Sequence, residues 1–285
     1  MKLKVIELFG GIGACTKALK RLGVEVEVVD YVEIDKHACA SYNAINGTNF
    51  EPQDVSLWDK DVEVDLIMHG SPCQDFSIAG KQAGGNEGSG TRSSLMYETL
   101  RIVRKLMPKY VIWENVKNLL SDKHIHNYSN YLAAMDELGY RSYYQVLNAK
   151  DYGIPQDRER IFTVSIRKDI ENEFRFPKPI ELEKHLKDML EENPPQEYFL
   201  TQKDVERIGA WKSFENPLDE EIIITGVLPH AAIKKDSTVQ TITAHAGHGD
   251  VPILIKDNTK QGFAEARGGT VSTCPFPAAK REGEE

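Results

Sequence analysis

Through the first 170 residues, short apolar runs alternate with amphipathic stretches. Lys4-Val5-Ile6-Glu7-Leu8-Phe9 reads as a strand broken by Gly10-Gly11-Ile12-Gly13. Residues 14–22 follow with Ala18, Leu19 and Leu22 at helical spacing. Residues 24–32 predict a second strand and residues 36–46 a helix capped by Asp35. The run Val64-Asp65-Leu66-Ile67-Met68 predicts a third, buried strand. Over residues 93–107, Leu95, Met96, Leu100, Val103, Leu106 and Met107 form the apolar stripe of a helix that Pro108 ends. Tyr110-Val111-Ile112-Trp113 predicts a fourth strand, and residues 128–138 a helix closed by Gly139. Residues 143–147 and 161–166 predict a final antiparallel pair. Strands alternating with helices in this way predict an α/β domain with a mostly parallel sheet and an antiparallel edge pair.

The pattern changes near residue 170. Pro177, Pro179, Pro194 and Pro195 flank a charged stretch, 181–192, that reads as helical, and strands are predicted at 222–224 and 251–255. The expected organisation is a first domain over 1–170 and a smaller second one over 171–285. Composition changes this picture little, since 40% hydrophobic and 28% charged residues are ordinary for a globular chain. No apolar run approaches membrane-spanning length, and the first residues enter a strand with no signal-peptide core, so a cytoplasmic protein is expected. The cysteines at 15, 39, 73 and 274 have neither a CxxC pair nor metal-ligand spacing, which suits a reducing compartment. His245 and His248 lack a third ligand at suitable spacing, so no metal is expected. A net charge of −9 argues weakly against a nucleic-acid partner, although a local basic face is enough to bind phosphates.

The candidate chemistry collects at strand ends, where open α/β sheets bind ligands. Gly11 and Gly13 follow the first strand, and Glu33 closes the second, where a carboxylate suits the hydroxyls of a ribose. Asp54, beside Val55, is placed to accept from an adenine amino group. The third strand leads to Pro72 and Cys73, followed by a tract with five glycines over 79–90 that reads as a lid. The fourth strand ends in Glu114, so a carboxylate and a thiol converge on one crevice. Arg158 and Arg160 alternate at strand spacing and can share a face. Taken singly, Cys73 reads as a small buried cysteine and Glu33 as a solvated charge; their order along the chain gives them weight.

Phe9-x-Gly11-x-Gly13, Pro72-Cys73-Gln74, Glu114-Asn115-Val116 and Gln156-x-Arg158-x-Arg160, in that order, closely resemble the DNA (cytosine-5) methyltransferases. The resemblance covers roughly residues 3–168 and implies a Rossmann-like, S-adenosylmethionine-dependent methyltransferase fold followed by a partial target-recognition domain. It further implies that Phe9, Gly11, Gly13, Glu33, Asp54, Val55 and Pro72 line the cofactor pocket. Cys73 would be the nucleophile, Glu114 would hold the cytosine, and Arg158 and Arg160 would steady the base. Gln74, Ser77 and Arg92 would belong to a loop closing over double-stranded DNA. The Gly-Asn-x-Val stretch that members carry near the C-terminus does not occur in 170–285, so a truncated enzyme, or one completed by a second polypeptide, is expected. Two rivals stand beside DNA methylation: methylation of cytosine in tRNA, and a silent DNA-binding homologue. The role, whether in restriction-modification, phage anti-restriction or regulation, is left open, as is the target sequence.

Overall fold

The structure is a computed structural model that describes residues 2–72, 95–171 and 173–184, together with the backbone of five short strands further on. It divides into two compact units, Met1–Leu147 with Glu159–Pro177, and Asn148–Arg158 with Lys178–Glu285.

The first unit is built on a six-stranded sheet. Its elements are β1 (Leu3–Leu8), α1 (Ala14–Arg21), β2 (Val26–Val32), α2 (Lys36–Asn46), β3 (Leu66–His69), α3 (Met96–Leu106), β4 (Tyr110–Val116), α4 (Ile125–Glu137), β5 (Tyr140–Asn148) and, beyond a short β6 (Gln156–Asp157), β7 (Glu159–Arg167). Strand order is β2-β1-β3-β4-β7-β5. The first four strands are mutually parallel, and β7 lies antiparallel to β4, so the α/β sheet with a reversed edge is as the apolar pattern predicts.

Side chains alternate across the sheet and divide the apolar residues between two layers. Ile6, Leu8, Ile67, Val111 and Trp113 pack with Met96, Leu100 and Val103 of α3 and with Tyr128, Tyr131 and Met135 of α4. On the opposite face Val5, Leu66 and Met68 meet Cys15 and Leu19 of α1. Tyr31 stacks on Tyr42 of α2 with ring centroids 3.9 Å apart. The expected stripe of α1 needs correction: Ala18 and Leu22 are exposed, and Thr16 is the buried residue of that helix. Burial shifts because the Glu7 carboxylate, inside the sheet layer, needs the Thr16 hydroxyl and N–H as donors. Asp35 caps α2 by accepting from the N–H groups of His37 and Ala38. The helix expected over 128–138 starts three residues earlier, at Ile125.

In the second unit, β8 (Ile222–Thr225), β9 (Ala232–Lys234), β11 (Ile253–Ile255) and β12 (Val271–Thr273) form an antiparallel sheet in the order β12-β11-β8-β9. β10 (Val239–Gln240) pairs in parallel with β6. Residues 181–184 are not helical, and 185–192 lie outside the described residues. No helix among the described residues is long and apolar enough to cross a membrane.

Candidate active site

Sheet register brings the strand ends into one row. Leu8 is level with Val32 and His69, and His69 with Trp113. One residue further along each strand stand Phe9, Glu33, Gly70 and Glu114, side by side at the carboxyl edge of a parallel sheet. Register thus sets these four strand ends in one row.

At the β1–β2 side the turn 9–13 is held open in the left-handed region, with φ 55° at Phe9, 52° at Gly11 and 87° at Gly13. Gly13 is buried beneath α1, and a Cβ there would stand 2.7 Å from the Tyr42 ring. The Gly11 N–H donates to Glu33 Oε2 at 3.0 Å, and the Asp35 N–H donates to Oε1 at 2.9 Å. The Tyr31 hydroxyl donates to the Gly11 carbonyl at 2.5 Å. Asp54 Oδ1 accepts from the Ser56 N–H and hydroxyl, and Val55 is buried beside it. Ile34, directly after Glu33, is 69% exposed. Space above Gly11, a fixed carboxylate and an exposed branched side chain fit a nucleoside: hydroxyls for Glu33, an apolar ring face for Ile34. Beneath the turn lies Glu7, which is buried, with Oε2 unpartnered. Burial pushes its carboxyl up to about 7, against the Thr16 N–H bond and the Lys20 charge, which lower it.

At the β3–β4 side Glu114 lies against Gly70, where a Cβ would meet its Oε2 at 3.6 Å. Arg160 reaches diagonally across from β7, its Nε 3.1 Å from Glu114 Oε1. Both side chains are largely covered, so the pair is stronger than an exposed one. On the other face of β4 the chain leaving β3 is clamped. Trp113 Nε1 donates to Ser71 Oγ at 3.0 Å, and Asn115 Nδ2 donates to the Ser71 carbonyl at 3.3 Å. The His69 ring stacks on Trp113 between Tyr131 and Thr99, and burial lowers its pKa to about 3, so it is neutral. Pro72 follows this clamp directly.

Of the residues expected in the site, Phe9, Gly11, Gly13, Glu33, Asp54, Val55, Pro72, Glu114 and Arg160 fall in the first unit, along this edge or in the connections next to it. Cys73, Gln74, Ser77 and Arg92 lie outside the described residues, as do His245 and His248. Arg158 sits between β6 and β7 rather than in a continuous strand, its N–H donates to Asn148 Oδ1 at 3.0 Å, and it belongs to the second unit. Sequence reasoning missed the parts played by Tyr31, Ile34, Ser71, Asn115 and Glu7. For Glu7 the signal was visible: a charge inside an apolar strand demands a partner.

The family model described as C-5 cytosine-specific DNA methylase matches residues 3–261. The orphan methyltransferase M.SPRI of Bacillus phage SPR is 35% identical over an alignment covering 92% of this chain and 68% of that protein. The type II methyltransferase M.HhaI of Haemophilus parahaemolyticus is 40% identical, over 66% of this chain and 57% of its own length. The crystal structure of S. pombe Dnmt2 methyltransferase superposes with a TM-score of 0.68 at 18% identity, covering 96% of this chain and 83% of that one. At that identity it speaks for the fold alone. The chain spans as little as half the length of the curated relatives it matches.

Proposed function

The chain belongs to the C-5 cytosine-specific DNA methylase family, and from that premise we propose that it methylates C5 of cytosine in double-stranded DNA. The observation that carries this reading is the paired Glu114 and Arg160 beside Gly70, at the edge where the chain turns toward Cys73.

Cytosine C5 is a poor nucleophile, and the roles of these residues follow from that. The Cys73 thiolate adds to C6, forming an Sγ–C6 bond and moving an electron pair onto the ring, so that C5 becomes enamine-like. Glu114 meets the ring at N3 and the amino group, stabilising the charge that develops during addition. Arg160 fixes the Glu114 carboxylate from the neighbouring strand. S-adenosylmethionine, the methyl donor of this family, supplies an electrophilic methyl sulfonium when bound. Glu33 and Ile34 hold its nucleoside half, with Gly11 keeping the turn clear. Loss of the C5 proton to water and departure of the thiolate from C6 restore the aromatic ring and the enzyme. None of these atoms is reachable in a duplex, so the target base is flipped out. Residues 171–285 are proposed as the partial target-recognition domain.

The test is tritiated methyl transfer by the chain alone to duplex DNA and to tRNA, together with trapping on duplex carrying 5-fluorocytosine. Labelled duplex and a denaturation-resistant complex, both lost in Cys73→Ser, are the expected results. Label in tRNA alone transfers the reading to that substrate, and a covalent complex with Cys73→Ser ends the nucleophile assignment. Turnover by the chain alone also dispenses with the second polypeptide expected from the sequence.

A further inference from the structure

Asp30 lies in β2, three residues before Glu33, and is 4% exposed. Its carboxylate gathers donors from one neighbouring segment. Oδ2 accepts from Trp58 Nε1 at 2.7 Å and from Lys60 Nζ at 2.6 Å, and Oδ1 accepts from Gln53 Nε2 at 2.9 Å. The Tyr31 N–H adds a fourth bond at 3.0 Å. Gln53 also donates to the Tyr31 carbonyl from its side chain and to the Glu33 carbonyl from its backbone, each at 2.8 Å.

The segment so gathered needs holding. The connection from α2 to β3 contains a single short 3-10 turn, Val55–Leu57, and has no ladder of its own. Asp54 and Val55 lie between Gln53 and Trp58, the two anchors that reach Asp30. From the other side Arg101 of α3 donates to the Val55 carbonyl at 3.0 Å. Both flanks of Asp54-Val55 are thereby tied to the strand that ends in Glu33. Burial by itself would raise the Asp30 carboxyl, but bonds from Lys60, Trp58 and Gln53 outweigh it and hold the group below the usual carboxylate range. A buried anion with four donors is a fixed point, because neutralising it leaves one pair of those donors facing an N–H or O–H instead of an acceptor.

We propose that Asp30 is a positioning residue for the nucleoside half of the cofactor, setting the spacing between Glu33 on one side and Asp54-Val55 on the other. This rests on the reading of that pocket given above. Asp30 touches no ligand; it acts through the segment it gathers, so its effect falls on cofactor affinity rather than on the methyl-transfer step. Asp30→Asn keeps the size of the side chain but leaves one acceptor oxygen, setting an amide N–H₂ either against Lys60 and Trp58 or against Gln53 and the Tyr31 N–H. Trp58→Phe is milder, keeping a ring and deleting one donor.

The experiment is calorimetric titration of the full chain and both variants with S-adenosylhomocysteine, paired with steady-state methyl transfer to duplex DNA. Asp30→Asn should weaken S-adenosylhomocysteine binding about tenfold and Trp58→Phe about threefold. KM for S-adenosylmethionine should rise in proportion, while kcat at saturating cofactor stays within about twofold of the unaltered chain. Combined with Glu33→Gln, Asp30→Asn should weaken binding by less than the sum of the two single effects. A lowered melting temperature with affinity and KM unchanged would overturn the inference, leaving Asp30 a stability residue only. Should Asp30→Asn fail to fold, Trp58→Phe decides by the same criteria. Absence of binding by the unaltered chain overturns the pocket reading and this inference with it, whereas binding by the unaltered chain and equally by both variants overturns this inference alone.

Discussion

Replacing Gly13 with alanine tests whether the first turn is shaped by backbone conformation, by packing, or by both. At φ 87° an L side chain is strained, which costs about 1–2 kcal/mol relative to glycine. The new Cβ also stands 2.7 Å from Cδ2 and Cε2 of Tyr42, a distance that packed carbons do not adopt. Tyr42 has nowhere to go: it is fully buried, stacked on Tyr31, and edge-on to Phe50 at 5.9 Å. Overpacking of this kind costs about 1–3 kcal/mol. Gly13→Ala should therefore lose about 2–5 kcal/mol in all. Gly23 supplies the control, with φ 74° and nothing within 4 Å of an added Cβ. Gly23→Ala carries the conformational cost alone, about 1–2 kcal/mol. Urea unfolding, followed by the fluorescence of the buried Trp58 and Trp113, gives both values. Since Tyr31 bonds the Gly11 carbonyl, a displaced Tyr42–Tyr31 pair should also weaken S-adenosylhomocysteine binding. Equal destabilisation by the two substitutions, within about 0.5 kcal/mol, would refute the packing argument.

Two further outcomes follow from the site. Arg160→Met keeps the side-chain stem but removes its ion pair with Glu114, and should slow methyl transfer about 100-fold with cofactor affinity intact; a rate within threefold of the unaltered chain, by tritium incorporation, would reduce the ion pair to a surface ornament. Burial pushes the Glu7 carboxyl up from its ordinary 4.5 to about 7, so the neutral form is favoured by folding and its contribution is fully present below the lower value. That contribution is lost as pH rises through about 7, so the chain should lose stability between about pH 5 and pH 8 relative to Glu7→Gln. Urea midpoints that run parallel for the two proteins across this range would contradict it.

The parallel sheet was legible because each strand of its centre is a short apolar run ended by glycine, proline or a charge. Strand ends of that kind carry the chemistry of such folds, and Glu33 and Glu114 were found there for that reason. Hydrogen-bonded clamps were less visible. Ser71 is an ordinary serine in the sequence, and its role exists only because Trp113 and Asn115 of a strand some forty residues away face it. Asp30 likewise reads as a charge near a strand end until Gln53, Trp58 and Lys60 fold around it. The connection 148–158 carries Arg158 at strand spacing from Arg160, yet it pairs with a strand more than eighty residues on, through Val239 with Gln156. Local pattern carries no trace of a partner that distant.

The reversed strand β7 decides which parts of the chain are free to vary. Because β7 runs against β4, its first residues lie level with the last residues of β4, and its last residue, Arg167, returns to Lys109 at the far edge. Length changes after residue 168 thus begin at the end of the sheet remote from Glu114, and leave the Arg160 pairing untouched. A single residue inserted within 159–160 would turn the guanidinium to the opposite face, since side chains alternate one by one. Natural variation among such chains should therefore be steeply asymmetric about this strand, generous downstream and nearly forbidden at its start.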